Sequence, residues 1–142
     1  MASDKPSVLF ICRRNGGKSQ MAAGLMHKYA GELIDAYSAG TDPGEAINQL
    51  SAESLLEVGA DITGEHPKPI DSELLRSVDR VVILGREAKL ASTEDVHAEY
   101  WDTDEPSQRG IDGIERMRLI RDDIAARVRQ LADDMTRQSP PI

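Results

Sequence analysis

VLFICRRNGGKS, residues 8–19, joins an apolar run to a glycine-containing loop that carries three cationic side chains. The run from Val8 to Ile11 is continuously apolar, which is typical of a strand buried on both faces of a parallel sheet. Beyond the loop, Met21, Leu25 and Tyr29 recur every four residues and so mark one face of a helix. The stretch therefore predicts a strand, a loop and a helix in immediate succession.

The same alternation continues through the chain. Further strands are predicted at residues 33–38, 81–84 and 99–101, and further helices at 49–58 and 114–135. A short helix is predicted that is capped within residues 71–73 and ends near Ser77. Strands that alternate with helices predict an α/β fold in which a parallel sheet carries helices on both faces. We expect a single domain over residues 1–142, with loose ends at about 1–6 and 136–142. Ligands of such sheets bind beyond the carboxyl ends of the strands, so the loop after the first strand is the first candidate site.

The composition excludes several classes of protein. The chain has 25 acidic and 17 basic residues, and its net charge of −8 argues against binding to nucleic acid or to an anionic membrane. A single cysteine excludes an internal disulfide and a cysteine-rich zinc site, and the three histidines lack ligand spacing, so no metal site is predicted. No apolar run approaches the roughly 20 residues of a membrane span, and the first residues lack the apolar core of a signal peptide. We therefore expect a soluble, cytoplasmic protein.

Residues 12–19, called the anion loop below, have the composition of an anion-binding site. Backbone N–H groups at a helix N-terminus bind phosphate-like anions, and the helix dipole adds partial positive charge. Gly16 and Gly17 permit left-handed backbone angles that turn successive amides inward. Arg13, Arg14 and Lys18 supply formal charge, although the two arginines are open to two interpretations, as anion-binding groups or as solvated surface charges.

Cys12 opens the anion loop and is a candidate nucleophile. The thiolate is the reactive form of cysteine, and a helix N-terminus and neighbouring cations stabilise it. The alternative interpretation is a buried structural cysteine. A rival interpretation takes Gly17 to Ser19 as the second half of a nucleotide P-loop, but the first glycine of that motif would fall on Cys12. The apolar run at 81–84 also leads into Gly85 and not into a metal-binding aspartate.

The chain resembles the low-molecular-weight protein tyrosine phosphatases and the arsenate reductases built on the same fold. Their loop is a cysteine, five residues, an arginine and a serine or threonine; here Cys12, Asn15, Lys18 and Ser19 fall in register. Further family segments are matched by QMA at 20–22, YSAG at 37–40, EVGADI at 57–62, DRVV at 79–82 and the stretch from Trp101 to Pro106. The resemblance implies a three-layer, doubly wound fold with a central four-stranded parallel sheet.

Three departures from the family pattern refine what the resemblance implies. The loop arginine is Lys18, a point charge without the planar fork of arginine, and this loop is similar to that of actinobacterial arsenate reductases. The acid before the proline is Glu105, with Asp104 one residue earlier, and either is a candidate proton donor. Thioredoxin-coupled relatives have two further cysteines after the third strand, and this chain has none there. The resolving thiol therefore has to come from outside.

The resemblance consequently implies an arsenate–mycothiol transferase, in which Cys12, Lys18 and Asp104 or Glu105 carry the catalysis. The Cys12 thiolate attacks arsenate, mycothiol takes the arsenic as a co-substrate, and mycoredoxin releases arsenite, with no tightly bound cofactor. Residues 13–19, which include Arg13, Arg14, Asn15, Gly16, Gly17, Lys18 and Ser19, are expected to hold the oxyanion. Asn15 and Ser38 are expected to support the loop backbone through side-chain hydrogen bonds.

Two alternative functions stay open at this point. One is a tyrosine phosphatase, although Ser107 and Gln108 stand where the phosphatases have aromatic residues that grip a phosphotyrosine ring. The other is a noncatalytic oxyanion-binding domain that has lost its chemistry through the change from arginine to Lys18.

Overall fold

The computed structural model describes residues 5–88 and 98–137. In these residues the strands are β1 (Ser7–Cys12), β2 (Asp35–Gly40), β3 (Arg80–Leu84) and β4 (Ala98–Trp101). The helices are α1 (Lys18–Ala30), α2 (Gln49–Leu56), α3 (Ser72–Ser77) and α4 (Gly113–Thr136), and a short 3-10 helix covers Pro106–Arg109. All strand pairs are parallel, in the order β2-β1-β3-β4. The predicted α/β fold with a four-stranded parallel sheet is therefore confirmed.

The strand register brings the carboxyl ends of three strands together. Ile11, which precedes Cys12, pairs with Ile83 of β3, and Leu84 pairs with Trp101 of β4. The segments that follow β1, β3 and β4 therefore meet at one edge of the sheet. This is the edge at which parallel sheets bind ligands, and the anion loop lies there.

Each face of the sheet packs against its own helices. Val8 and Phe10 are fully buried in a cluster with apolar residues of α1, α2 and α4. Leu9 and Ile83 point to the opposite face, where they cluster with residues that include Leu74 of α3. The alternation along β1 follows from the two-residue period of a strand and produces the predicted three layers.

Two predicted elements have a boundary that differs from the structure by two residues, more than the others. The second strand was expected from Leu33, but β2 begins at Asp35 and Leu33 is 58% exposed. The backbone N–H groups of Leu33 and Ile34 both donate to the carbonyl of Ala30, so a turn continues the end of α1 and delays the strand. The predicted helix at 49–58 ends at Leu56, because a turn follows in which Gly59 has a φ of 83°.

The described part of the chain holds no helix with both the length and the apolar character of a membrane span. Of the expected loose ends, residues 1–4 and 138–142 lie outside the described residues, and Thr136 is the last residue of α4. His97 also lies outside the described residues.

Candidate active site

The anion loop is held from its outer side by the segment that follows β2. Four carbonyls of the loop, those of Cys12, Arg13, Arg14 and Gly16, accept hydrogen bonds of 2.7–3.1 Å from the backbone N–H groups of Thr41, Asp42, Gly44 and Asn48. Gly40 allows this close approach, because a Cβ on it would lie 2.8 Å from the Arg13 carbonyl oxygen. With these carbonyls engaged on the outer side, the loop can present amides without a partner to an anion on its inner side.

The start of α1 offers unused hydrogen-bond donors. Its N-cap residue is Gly17, which provides no capping side chain, so the first-turn N–H groups of Lys18 and Ser19 have no partner within the helix. For the amides of Arg13 and Arg14, residues 5–88 and 98–137 likewise contain no acceptor. Together with the dipole of α1, these donors form an arrangement that is able to bind an oxyanion.

One backbone expectation for the anion loop was wrong. The left-handed conformation falls on Asn15, whose φ is 54°, and neither Gly16 nor Gly17 has a positive φ. Asparagine tolerates this conformation better than most residues because its short polar side chain bonds locally. Gly16 serves close packing instead, since a Cβ there would lie 3.0 Å from the carbonyl oxygen of Ala46.

Cys12 lies at the carboxyl end of β1 and is 7% exposed. Its Sγ is 2.9 Å from Ser19 Oγ and accepts a 3.2 Å hydrogen bond from the backbone N–H of Asn15. The Asn15 side-chain amide donates to Ser19 Oγ at 2.7 Å, which leaves the Ser19 proton free to point at the sulfur. The backbone N–H of Asn15 thus donates to Sγ, and the Ser19 hydroxyl is placed so that it can donate as well.

Asn15 is completely buried and joins the anion loop to the segment at 66–68. Its Oδ1 accepts from Gln20 Nε2 at 3.2 Å and from the backbone N–H of Lys68 at 3.0 Å. Gln20 Nε2 also donates to the carbonyl of His66 at 3.1 Å. The side chain of Asn15 therefore ties the loop to Gln20 and Lys68, partners that no sequence pattern indicated, whereas the expected bonds to the loop backbone are not among its described contacts.

Ser38 contributes differently from the expectation that it bonds the loop backbone. Its Oγ accepts a 3.4 Å hydrogen bond from Lys68 Nζ, and the link to the anion loop runs through the Lys68 backbone. Ser38 is therefore linked to the anion loop through one intervening residue, Lys68. Strand β2 ends at Gly40, and the side chain of Ser38 faces the segment that carries Lys68.

Arg13 and Arg14 lie at the rim of the site in ion pairs. Both contact Asp42, at 3.6 and 3.5 Å, and Arg13 also reaches Glu87 at 3.6 Å. Their side chains are 45% and 59% exposed. Both line the cavity that contains Cys12, with their charges partly balanced by these carboxylates.

The two candidate proton donors lie on the same cavity as Cys12 and Lys18, and both are held by arginine. Arg109 binds Asp104 through two hydrogen bonds of 2.8 and 3.0 Å and lowers the pKa of that carboxyl. Arg116 binds Glu105 in the same two-pronged manner, at 2.9 and 3.1 Å. Its hydrogen bonds hold the pKa of Glu105 at about 2, below the usual 4.5, with help from Ser107.

Arg116 is a site residue that the sequence did not reveal. It lies in the first turn of α4, and the charged residues around it are typical of a solvated helix face. Its guanidinium nevertheless turns towards Glu105, whose Oε1 is 4.0 Å from Lys18 Nζ. The groups brought together are thus a buried cysteine, unpaired amide donors, a lysine ammonium and arginine-bound carboxylates. Among the described residues, no cluster of three His, Cys, Asp or Glu could hold a metal ion.

Comparisons with known proteins agree with this geometry. A family model described as low molecular weight phosphotyrosine protein phosphatase matches residues 7–140. The arsenate reductase of Halalkalibacterium halodurans is 32% identical over 136 residues, covering 92% of this chain and 97% of that protein. A thioredoxin-dependent arsenate reductase of Corynebacterium glutamicum superposes with a TM-score of 0.77 at 32% identity; the match covers 95% of this chain and 64% of that one. A solved structure of an arsenate reductase in the phosphate binding state superposes with a TM-score of 0.79 at 26% identity; the match covers 92% of this chain and 99% of that one.

Proposed function

The chain belongs to the low molecular weight phosphotyrosine protein phosphatase family, and on that basis we propose that it is an arsenate reductase that works as an arsenate–mycothiol transferase. The observation that carries the proposal is the position of its single cysteine, at the base of a loop of unpaired amide donors. The curated relatives named arsenate reductases at 32% identity support arsenate as the substrate. The cytoplasm is the proposed compartment, since the chemistry requires a reduced thiol.

The first step is attack of the Cys12 thiolate on arsenate. The loop amides and the ammonium of Lys18 hold the oxyanion, and the sulfur displaces one arsenate oxygen as water, so that Cys12 carries a thioester of arsenic acid. Arsenic remains pentavalent in this step, because a sulfur–arsenic bond replaces an oxygen–arsenic bond. The donors at Sγ from Ser19 and Asn15 support the thiolate form that this attack needs.

The second and third steps use thiols from outside the chain. The mycothiol thiol displaces Cys12 from arsenic and returns its proton to the Cys12 sulfur, which regenerates the enzyme. A mycoredoxin thiolate then attacks the mycothiol sulfur; a mixed disulfide forms, and the electron pair of the sulfur–arsenic bond passes to arsenic, which leaves as trivalent arsenite. The single cysteine supports this order, because an internal disulfide, which a thioredoxin would reduce, needs a second one.

Arsenite production by the full chain tests the proposal. With arsenate, mycothiol, mycoredoxin and a reductant we expect turnover, and with mycoredoxin omitted we expect a mycothiol–arsenate adduct without arsenite. Cys12→Ser should abolish both. Full activity of Cys12→Ser would overturn the mechanism, and rapid turnover with thioredoxin alone would overturn the choice of an external small thiol.

A phosphotyrosine phosphatase is the second candidate, and the description of the matching family model favours it. Lys18 argues against it, because a lysine cannot make the planar two-pronged contact with a phosphoryl group that arginine makes. Vigorous turnover of a phosphotyrosine peptide, with arsenate acting only as a competitive inhibitor, would support this candidate. A large gain in phosphatase activity in Lys18→Arg would support arsenate as the substrate for which the native loop is suited.

A further inference from the structure

Three carboxylates line the edge of the Cys12 cavity in the segment after β4, and each is bound by an arginine. Asp102 accepts a 2.8 Å hydrogen bond from Arg86, which lowers its pKa. Asp104 and Glu105 are held in two-pronged contacts by Arg109 and Arg116. The arginines come from three different places: the segment after β3, the 3-10 helix and α4. The cavity edge therefore presents ionised carboxylates at neutral pH.

Glu105 lies between the ammonium of Lys18, at the end of the anion loop, and the guanidinium of Arg116 in α4. Its Oε1 accepts from Arg116 Nη2 at 3.1 Å and faces Lys18 Nζ at 4.0 Å, while its Oε2 accepts from Arg116 Nε and from Ser107. Lys18 is the first residue of α1 and is a flexible point charge, unlike the planar fork of an arginine. A fixed carboxylate beside it restricts where the ammonium can lie.

We propose that Glu105, fixed by Arg116, is a positioning residue for Lys18, and that the departing arsenate oxygen receives its proton from arsenate itself and not from a carboxyl group of this chain. This inference rests on the proposed function and deepens it. In this inference Glu105, the acidic residue immediately before Pro106, gives electrostatic support to the anion loop. The low pKa of Glu105 agrees with this role, since a carboxylate with a pKa of about 2 carries almost no proton at neutral pH.

The proton balance of the first step allows this assignment. The arsenate monoanion has two O–H groups: one oxygen leaves with its own proton, the proton of the other O–H is transferred to it, and water departs. Sulfur gains a bond to arsenic, and the product is a dianionic arsenic thioester, so charge and atoms balance without an added acid. A phosphate monoester dianion has no such proton, and its leaving oxygen needs an acid from the protein. The arginine-bound carboxylates thus favour arsenate over phosphate esters.

A double-mutant cycle separates the two roles of Glu105. In Glu105→Gln we expect kcat/KM for arsenate to fall about tenfold, mostly through KM, and in a Lys18→Gln background the same change should cost less than about twofold. An acid would act independently of Lys18, and its loss would cost about 10²–10⁴-fold in both backgrounds. That second pattern would overturn the proposal.

The pH profile gives a second readout. Charged groups from several elements surround Glu105 and Lys18. They are Arg13 and Arg14 of the anion loop, Arg86 and Glu87 after β3, Asp102 and Asp104 after β4, Arg109 of the 3-10 helix, and Arg116 and Asp123 of α4. The decline of kcat/KM at high pH should follow the second ionisation of arsenic acid and should stay in place in Glu105→Gln. Loss of that decline in the variant would identify Glu105 as the acid.

Glu57→Gln is the matched control. Glu57 is bound by Arg118 and Arg121 at 2.6 and 2.8 Å, also against α4 but away from the anion loop. If Glu105→Gln acted only by loosening α4, Glu57→Gln would lower kcat/KM to a similar extent. We expect it to leave kcat/KM for arsenate unchanged.

Aryl phosphates test the inference in an assay that needs no mycothiol. A failure of the inference can therefore be distinguished from a failure of the proposed function. In the absence of a protein acid, the cleavage rate should fall steeply as the leaving phenol becomes less acidic, with the same slope in the native chain and in Glu105→Gln. A shallow slope that steepens in Glu105→Gln would overturn the inference while leaving arsenate turnover intact. A chain that turns over neither substrate would overturn the proposed function, and this inference with it.

Discussion

The Ser19 hydroxyl lies 2.9 Å from the Cys12 sulfur, and both groups are buried at the junction of β1 and α1. Ser19 accepts a hydrogen bond from the Asn15 side chain, so its own proton is available to the sulfur. When Cys12 is a thiolate, the proton between the two groups can only be that of the hydroxyl, so Ser19 is then a donor to the nucleophile.

Ser19→Ala should slow alkylation of Cys12 by iodoacetamide at neutral pH by about tenfold, the factor that corresponds to one hydrogen bond of roughly 1.5 kcal/mol. The reason is that the thiolate loses one of its donors, and only the thiolate reacts. Ser54→Ala is the control, since Ser54 is equally buried but bonds within α2. Equal alkylation rates in the two variants would show that Ser19 does not donate to the sulfur.

Asn15→Ala should lower the free energy of unfolding by about 3 kcal/mol, because Ser19, Gln20 and the Lys68 N–H each lose one hydrogen bond and alanine is strained at a φ of 54°. Asn15→Gly loses the same hydrogen bonds without the strain. We expect it to be about 1 kcal/mol more stable than Asn15→Ala in urea unfolding. Equal stability of the two variants would contradict a strained backbone at this position.

Local patterns were sufficient to predict much of this molecule. The apolar run of β1 and the helical spacing after it have clear periods, and the rule for parallel sheets then placed the candidate site at the anion loop. The start of β2 was missed because its apolar pattern begins at Leu33, whereas hydrogen bonds to the Ala30 carbonyl keep Leu33 and Ile34 in a turn. A pattern of side chains carries no information about such a backbone hydrogen bond.

The contacts that complete the site join separate segments of the chain and could not be predicted. Lys68 is hydrogen-bonded to Asn15, 53 positions away in the sequence. Arg116 contacts Glu105 from a helix face whose other charged residues are typical of a solvent-exposed surface. Both contacts depend on how the chain returns to the anion loop. The acidic pair before Pro106 was visible in the sequence, but its protonation depends on arginines that only the fold brings to it.

The Glu57 carboxylate provides a pH prediction with a defined sign. Hydrogen bonds from Arg118, and then from Arg121, hold its pKa at about 2, below the usual 4.5. Since the folded state depresses this pKa, the contribution of Glu57 to stability is complete above pH 4.5 and is lost as the pH falls towards 2. The urea midpoint of Glu57→Gln should therefore fall less steeply over this pH range than that of the native chain.

Salt and a neighbouring carboxylate supply the controls for this prediction. Glu57 is exposed to solvent, so the difference between the two curves should shrink at high ionic strength. Glu53→Gln changes an exposed residue of α2, the helix that ends just before Glu57, and should reproduce the native curve. A difference of the same size in Glu53→Gln would mean that the effect follows net charge and not the two arginine contacts.

Gly24 is a helix-interior glycine whose replacement by alanine should destabilise the fold. Alanine favours helices by about 1 kcal/mol over glycine, but a Cβ at Gly24 would lie 2.7 Å from Ile62 Cγ2 and 3.2 Å from Leu55 Cδ1. Both neighbours are fully buried, and overpacking of this kind costs about 1–3 kcal/mol. We expect a lower melting temperature and a lower urea midpoint for Gly24→Ala.

Two further variants identify the cause of any loss in Gly24→Ala. Gly64→Ala is the matched control, because a Cβ there has no neighbour within 4 Å, and it should leave stability within about 0.5 kcal/mol of the native value. Ile62→Leu removes the branch methyl that would collide, so adding Gly24→Ala to this variant should cost less than adding it to the native chain. If Gly24→Ala is instead as stable as Gly64→Ala, then α1 has room to move away from Ile62, and the close approach of this helix to the 60–62 segment is not required by the fold.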